Sequence, residues 1–114
     1  MDRGEAVAKG RGEGPVLDQA TADFLKALAS ETRQRVMVQF AGGVELTVGE
    51  VAERCGLKPS TVSEHLGLLR RGGLVVSRKE GREVFYRADG ETAAGRLSAL
   101  QAYLAVCCPP GAGC

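Results

Sequence analysis

Three cysteines near the carboxyl end of the chain are the residues best suited to chemistry. Cys107 and Cys108 are adjacent, and Cys114 follows closely, so that all three lie within eight residues. Thiolates are soft ligands, which suit thiophilic ions and are poor ligands for hard ions such as magnesium. Trivalent arsenic or antimony is saturated by three sulfurs in a pyramid, whereas zinc usually takes four ligands. The spacing therefore predicts a metal or metalloid site formed by Cys107, Cys108 and Cys114.

Other interpretations of this cluster stay open. The thiols could sense oxidants or persulfides, or could belong to an incidental tail. A small thiol enzyme, such as an arsenate reductase, or a metal-trafficking protein is a further alternative. No phosphate-binding motif precedes a cysteine, however, and no general acid accompanies one, so we do not expect an enzyme. The fourth cysteine, Cys55, falls at a helix position that is normally apolar, where core packing is favoured over ligation.

The charge pattern indicates a polyanionic partner. Residues 58–87 contain seven basic and three acidic residues, a net charge of +4, whereas the chain as a whole carries +1. Lysine and arginine at phosphates release condensed counterions, so a basic segment on an otherwise acidic chain favours nucleic-acid binding. Plain solvated charge is the alternative.

Hydrophobic periodicity and capping signals predict five helices and one hairpin. The first helix follows the apolar spacing of residues 17–29, and the second runs from about Glu31 to Ala41. The box Thr47-Val48-Gly49-Glu50 starts a third helix, and Pro59 starts a fourth that ends at Gly72-Gly73. Residues 74–87 change to a strand period with a charged turn, and a final helix ends before Pro109-Pro110.

The third and fourth predicted helices have the spacing of a helix-turn-helix. Ala52 is small where the two helices would touch, Gly56 lies at the turn, and Val62 packs the second helix on the first. The polar residues that follow Pro59 would then face DNA, and the basic hairpin would act as a wing beside them. A small helical bundle with a solvated face is the alternative. The candidate DNA-binding residues are Ser60, Thr61, Ser63, Glu64, His65, Arg78, Lys79 and Arg82. His65 could instead pack at the edge of its helix.

Several segments, in order, resemble the ArsR/SmtB family of winged-helix metalloregulatory repressors. They are Ala27-Leu-Ala-Ser-Glu-Thr-Arg33, Glu45-Leu-Thr-Val-Gly-Glu-Val-Ala52, Ser60-Thr-Val-Ser-Glu-His-Leu66, Leu69-Arg-Arg-Gly-Gly-Leu-Val75 and Arg78-Lys-Glu-Gly-Arg-Glu-Val-Phe-Tyr86. The resemblance implies a mainly α (α+β) winged helix-turn-helix with about five helices and a two-stranded β wing. It also implies a homodimer joined through the first and last helices, with Leu17, Phe24, Leu97, Leu100 and Leu104 in the interface.

The resemblance also has departures that bear on the effector. Many members carry a Cys-x-Cys at the positions that Thr47 and Gly49 occupy here, and others bind zinc through histidines and aspartates on the last helix. The only histidine of this chain is His65, so neither site is expected. The cysteines at the end instead resemble the arrangement of some arsenic-responsive members.

These observations define an expected organisation and function. Residues 1–15 are predicted to be a disordered tail, 16–106 the DNA-binding and dimerisation domain, and 107–114 a cysteine-rich sensor tail. A run of about 18 apolar residues is absent, so we expect neither a membrane span nor a secretory signal. We therefore expect a cytoplasmic protein. We expect a repressor that binds double-stranded operator DNA and releases it on binding As(III) or Sb(III), without an organic cofactor.

Overall fold

The computed structural model describes residues 16–111 and places five helices and three strands in that range. The helices are α1 (Gln19–Leu28), α2 (Glu31–Val38), α3 (Val48–Cys55), α4 (Pro59–Arg71) and α5 (Gly90–Cys107). The strands are β1 (Leu46–Thr47), β2 (Val75–Glu80) and β3 (Glu83–Ala88). This is the expected winged helix-turn-helix. The predicted tail 1–15 and Cys114 lie outside the described residues.

Local signals account for the helix starts. The Asp18 carboxylate accepts from the Thr21 backbone N–H at 2.8 Å, and the Ser30 hydroxyl accepts from that of Arg33 at 3.2 Å. The capping box of α3 is present as predicted, because Thr47 accepts from the Glu50 N–H while Glu50 accepts from the Thr47 N–H. Each such cap satisfies a backbone donor that the helix itself leaves unpaired.

The second helix is shorter than the sequence predicts. It ends at Val38, and a short 3₁₀ turn follows at Ala41–Gly43. Gly42 and Gly43 both have φ near +80°, a conformation that an α-helix cannot contain and that glycine adopts without strain. The helix therefore stops ahead of this pair.

The three strands form one antiparallel sheet in the order β1-β3-β2. The hairpin of β2 and β3 is the predicted wing, with Gly81 and Arg82 at its turn. The two-residue β1 was not predicted. It pairs Leu46 with Tyr86 and Thr47 with Phe85, so it attaches the wing to the start of α3.

The core lies among α1 to α4 and the base of the wing. Its fully buried side chains include Val36, Phe40, Val51, Val62, Leu66, Leu69 and Val75. Burial of each such side chain contributes about 1.5–3 kcal/mol to folding. By contrast, α5 contributes no buried residue within the single chain. Among residues 16–111, no helix is both long and apolar enough to cross a membrane.

Candidate nucleic-acid interface and thiol cluster

The turn between α3 and α4 has the geometry that the sequence predicts. Gly56 caps α3 with φ +68° and ψ +35°, and the Leu57 N–H donates to the Ala52 carbonyl at 3.0 Å. Ala52 is 4% exposed at the contact with α4, and Val62 of α4 is fully buried. Because the left-handed conformation at Gly56 reverses the chain sharply, α4 packs across α3 with its opposite face in solvent.

The exposed face of α4 carries the predicted base- and phosphate-reading residues. Ser60, Ser63 and Glu64 are exposed, while Thr61 and His65 are half-buried. Within the described range, four helices have an N-cap side chain that accepts a backbone N–H, whereas the N-cap of α4, Lys58, makes no such bond. An exposed helix start with donors left over and a lysine beside it suits phosphate oxygens. Lys58 was not among the predicted site residues, although its position directly before Pro59 is a recognisable signal.

His65 lies on the side of α4 that faces Arg33 of α2. Its Nδ1 is 3.5 Å from Nη1 of Arg33. Arg33 also donates from Nε to the Ala27 carbonyl at 2.7 Å and from Nη2 to the Lys26 carbonyl at 3.1 Å. This guanidinium therefore neutralises the negative end of α1 and joins it to α4. His65 thus has a packing contact within the single chain, and its predicted contact with DNA stays a prediction.

The wing leaves the core soon after its base. Burial along β2 falls from Val75, which is 1% exposed, to exposed positions at Arg78, Lys79 and Glu80. Arg82 lies in the turn, and within the described part of the chain neither Lys79 nor Arg82 takes part in an ion pair. These two cations can therefore approach a phosphate backbone without losing an internal partner.

Arg78 differs from the prediction in its placement. It lies back along β2 from the turn, and its guanidinium is held by Glu45 and Glu80 at contacts as short as 2.8 and 2.7 Å. The hydrogen bonds from Arg78 hold the pKa of the Glu45 carboxyl below its ordinary value, so this carboxylate is charged at neutral pH. Arg78 thus already has two carboxylate partners within the single chain, and its predicted contact with DNA stays a prediction.

The predicted dimer residues divide into two groups. Leu97 and Leu104 are 55% and 46% exposed on α5, and Leu17 and Leu100 are half-buried. Phe24 is only 3% exposed and belongs to the core of the single chain. Its assignment to a dimer interface is wrong, because a helix with apolar spacing buries part of its stripe against its own domain.

The first two cysteines of the predicted thiol cluster lie where α5 ends. Cys107 is the last helical residue and is exposed, with its Sγ 3.5 Å from the Tyr103 carbonyl. Cys108 is exposed and has φ −139° and ψ 68°, outside the helical range. Within residues 16–111, no three histidine, cysteine or acidic side chains gather into a group that could hold a metal ion. The third predicted ligand, Cys114, lies beyond this range.

Cys55 is half-buried on α3 and packs against the core. It lies at the carboxyl end of that helix, one residue before Gly56. This agrees with the packing role that its position favours.

Comparison with known proteins identifies the family. A family model described as a helix-turn-helix domain matches residues 28–78. The transcriptional regulator CmtR of Mycobacterium tuberculosis is 42% identical over 90 residues, 78% of this chain and 75% of that protein. The transcriptional activator HlyU of Vibrio cholerae is 47% identical over 63 residues, 55% of this chain and 57% of HlyU.

Solved structures agree with the sequence relatives. The structure of reduced HlyU has a TM-score of 0.57 at 38% identity and covers 74% of this chain and 88% of that one. The homodimeric winged helix-turn-helix DNA-binding domain of a possible ArsR-family regulator from Mycobacterium bovis has a TM-score of 0.60 at 34% identity, covering 74% and 77%. With its capped helix-turn-helix and its wing, this chain belongs to the ArsR family of winged-helix transcriptional regulators.

Proposed function

We propose that the protein is a homodimeric repressor that binds a palindromic operator and releases it when trivalent arsenic or antimony binds Cys107, Cys108 and Cys114. The observation that carries the proposal is the pair of exposed cysteines at the end of α5. They lie where α5 ends, and α5 is the only α-helix in the described range that has no buried residue in the single chain.

The ending of α5 suits a shared ligand for the adjacent thiols. Successive side chains on an α-helix point about 100° apart, which would keep neighbouring thiols from one ion. The backbone leaves the helix at Cys108, and Gly111 has φ +79° beyond Pro109-Pro110. A chain that turns here can bring Cys114 toward the other two thiols. Three thiols and arsenous acid give an As(SR)₃ species and three waters, so no oxidant is needed.

The outer face of α5 supports the homodimer. Leu97 and Leu104, seven residues apart and so on one side of the helix, are 55% and 46% exposed. The exposed Val106 lies on the opposite side, in a surface depression that it lines together with Val16 before α1. Exposed apolar side chains of this kind suit an interaction surface. The M. bovis relative is a homodimer in its solved structure. A second copy on the α1–α5 face would present two α4 helices to the two halves of a palindrome.

The same arrangement supplies a coupling between the thiols and DNA. A metalloid that joins the end of α5 to the following segment favours the α5 geometry that accepts it. If that geometry misaligns the two recognition helices, effector and operator compete, and each weakens the binding of the other by the same factor.

Fluorescence anisotropy of the reduced full-length protein on a labelled duplex from upstream of its own gene tests the proposal. Arsenite or antimonite should release the DNA, whereas zinc should not. The double variant Cys107→Ser, Cys108→Ser should bind the duplex like the wild type and remain bound in arsenite. Cys55→Ala, a cysteine outside the cluster, is the matched control and should still respond. Release of the double variant by arsenite would contradict the assignment of the site.

Thiol oxidation is the second candidate effector. Cys107 and Cys108 are exposed and therefore accessible to oxidants, and the HlyU structure is described as that of the reduced protein. Under this alternative, peroxide and not arsenite would release the duplex. Mass spectrometry would then show a reversible disulfide between Cys114 and one of the other two thiols.

A further inference from the structure

Arg78 and Glu45 form a bidentate ion pair although 33 residues separate them. Nε of Arg78 lies 3.1 and 2.9 Å from the two oxygens of Glu45, and Nη2 lies 2.8 Å from Oε1. Nη1 donates to Oε1 of Glu80 at 2.7 Å. Every nitrogen of the guanidinium is thus engaged by a carboxylate, which leaves this arginine poorly placed to take a DNA phosphate.

The pair spans the whole width of the sheet. Arg78 on the edge strand β2 pairs with Phe85 on β3, and Phe85 pairs on its other side with Thr47 of β1. Glu45 lies two residues before Thr47. The guanidinium therefore passes over the middle strand, with its carbon 4.7 Å from the centroid of the Phe85 ring, to reach the opposite edge.

This ion pair is located where it can affect the position of the wing. Beyond the base of β2 the wing is exposed, and β1, which attaches it to α3, is only two residues long. The Glu45 side chain is 31% exposed and that of Arg78 49%, so solvent screens the pair only in part. Loss of the contact would leave the wing attached by its strand pairing and by the packing of its base on the core, with nothing holding Arg78 to the opposite edge of the sheet.

We propose that Arg78 and Glu45 are positioning residues for DNA recognition, which set the angle at which the wing presents Lys79 and Arg82 beside α4. This inference rests on the proposed DNA binding. A direct DNA contact by Arg78 predicts the opposite effect of removing Glu45 on operator affinity. Without that carboxylate Arg78 would be free for a phosphate and binding would tighten, whereas a positioning role predicts weaker binding.

Operator affinity of Glu45→Ala is the test, with Glu83→Ala as the matched control. Both variants remove one carboxylate near the wing, but Glu83 forms no ion pair within the described residues. Glu45→Ala should weaken operator binding about fivefold, as expected for loss of a partly exposed ion pair. Glu83→Ala should bind as tightly as the wild type or more tightly, because it only reduces repulsion of the phosphates.

Two further readouts separate a positioning role from a contact. Arg78→Ala should leave the slope of log affinity against log salt unchanged, whereas loss of a phosphate contact lowers that slope by about one. Amide hydrogen exchange of the wing in the absence of DNA should be faster in Glu45→Ala than in Glu83→Ala.

Binding of Glu45→Ala that is tighter than wild type, or weakened equally in both alanine variants, would overturn the inference. Amide hydrogen exchange of the wing that is no faster in Glu45→Ala than in Glu83→Ala would also overturn the inference, in an experiment that needs no DNA. Failure of the wild type to bind the duplex would instead count against the proposed function.

Discussion

At the scale of single residues, Arg33 is the polar side chain with the most consequential contacts. It donates to two carbonyls at the end of α1 and lies beside His65 of α4, so it connects three helices. Arg35, two positions along the same helix, reaches only the exposed Glu31 at 3.4 Å. Loss of Arg33 would therefore leave two carbonyls of α1 without this hydrogen-bond donor, whereas loss of Arg35 would leave only an exposed carboxylate.

Arg33→Ala should lower the free energy of unfolding by about 1.5–3 kcal/mol, the usual range for hydrogen bonds to a charged group. Arg35→Ala should change it by less than about 0.5 kcal/mol, because exposed i,i+4 pairs contribute little. Urea denaturation followed by circular dichroism measures both. Equal effects of the two substitutions would show that Arg33 is only a solvated charge.

Residue identities alone predict local contacts better than distant ones. The capping box at Thr47 and Glu50 and the turn at Gly56 follow from neighbours in sequence, and both were predicted. The Glu45–Arg78 pair joins residues with no shared pattern, so only the folded sheet reveals it. Similarly, the helical spacing that includes Phe24 shows that one face is buried, but it does not distinguish the chain's own core from a partner.

At the scale of elements, the start of α5 is fixed by Asp89. Its carboxylate accepts from the Thr92 hydroxyl at 2.7 Å and from the Thr92 backbone N–H at 3.1 Å. These bonds hold the pKa of Asp89 below its ordinary value of 3.8. A depressed carboxyl pKa gives stability that is fully present above the unfolded-state value and is lost as the pH falls through the folded-state value.

Asp89→Ala should therefore destabilise the protein by about 1 kcal/mol at pH 7, as N-cap deletions usually do. Asp89→Asn should retain most of the stability at pH 7, since asparagine caps as well. It should also lose less stability than the wild type as the pH falls from about 5 to about 3, a range that brackets the ordinary carboxyl pKa. Thermal unfolding across this range is the measurement, and an identical pH dependence of the Asp89→Asn variant and the wild type would contradict the assignment.

The junction of α4 and the wing is set by a glycine in close contact with α5. Gly73 has φ +82°, and a Cβ built on it would lie 2.7 Å from Cγ2 of Thr92. Gly73→Ala should cost about 1–3 kcal/mol, since it combines a left-handed backbone with overpacking. Gly67 lies within α4 with nothing within 4 Å of its Cβ position, so Gly67→Ala should stabilise by about 0.5–1 kcal/mol. Melting temperatures that move in the same direction would refute this contrast.

The short strand β1 shows why element prediction was incomplete. Its two residues are too few to show an alternating pattern, and Thr47 also carries the N-cap signal of α3. A strand this short forms because β3 is already aligned beside it, with Tyr86 and Phe85 as partners. The existence of β1 therefore depends on tertiary structure, as does the pairing of Thr47 with β3 in addition to its role as the N-cap of α3.

At the scale of the whole molecule, the last helix, α5, is the helix that the single chain covers least. Within residues 16–111 it is the only α-helix with no buried residue, and Leu97 and Leu104 are 55% and 46% exposed on one side of it. Apolar surface of this kind suits contact with a second copy of the chain.

The paired substitution Leu97→Glu, Leu104→Glu should therefore break the proposed dimer and leave the monomer folded. Both side chains are about half exposed in the single chain, so a glutamate there meets water in the monomer but would be buried and unpaired in an α5–α5 contact. Val38→Glu is the control, because Val38 is 67% exposed on α2, away from that face. Sedimentation should show a monomer for the paired variant and a dimer for the control, with equal helical circular dichroism. Operator affinity should fall steeply in the paired variant alone, since one recognition helix then binds without the effective concentration that its partner supplies. A paired variant that stays dimeric would place the interface elsewhere, and one that unfolds would mean that α5 is required by the fold of each chain.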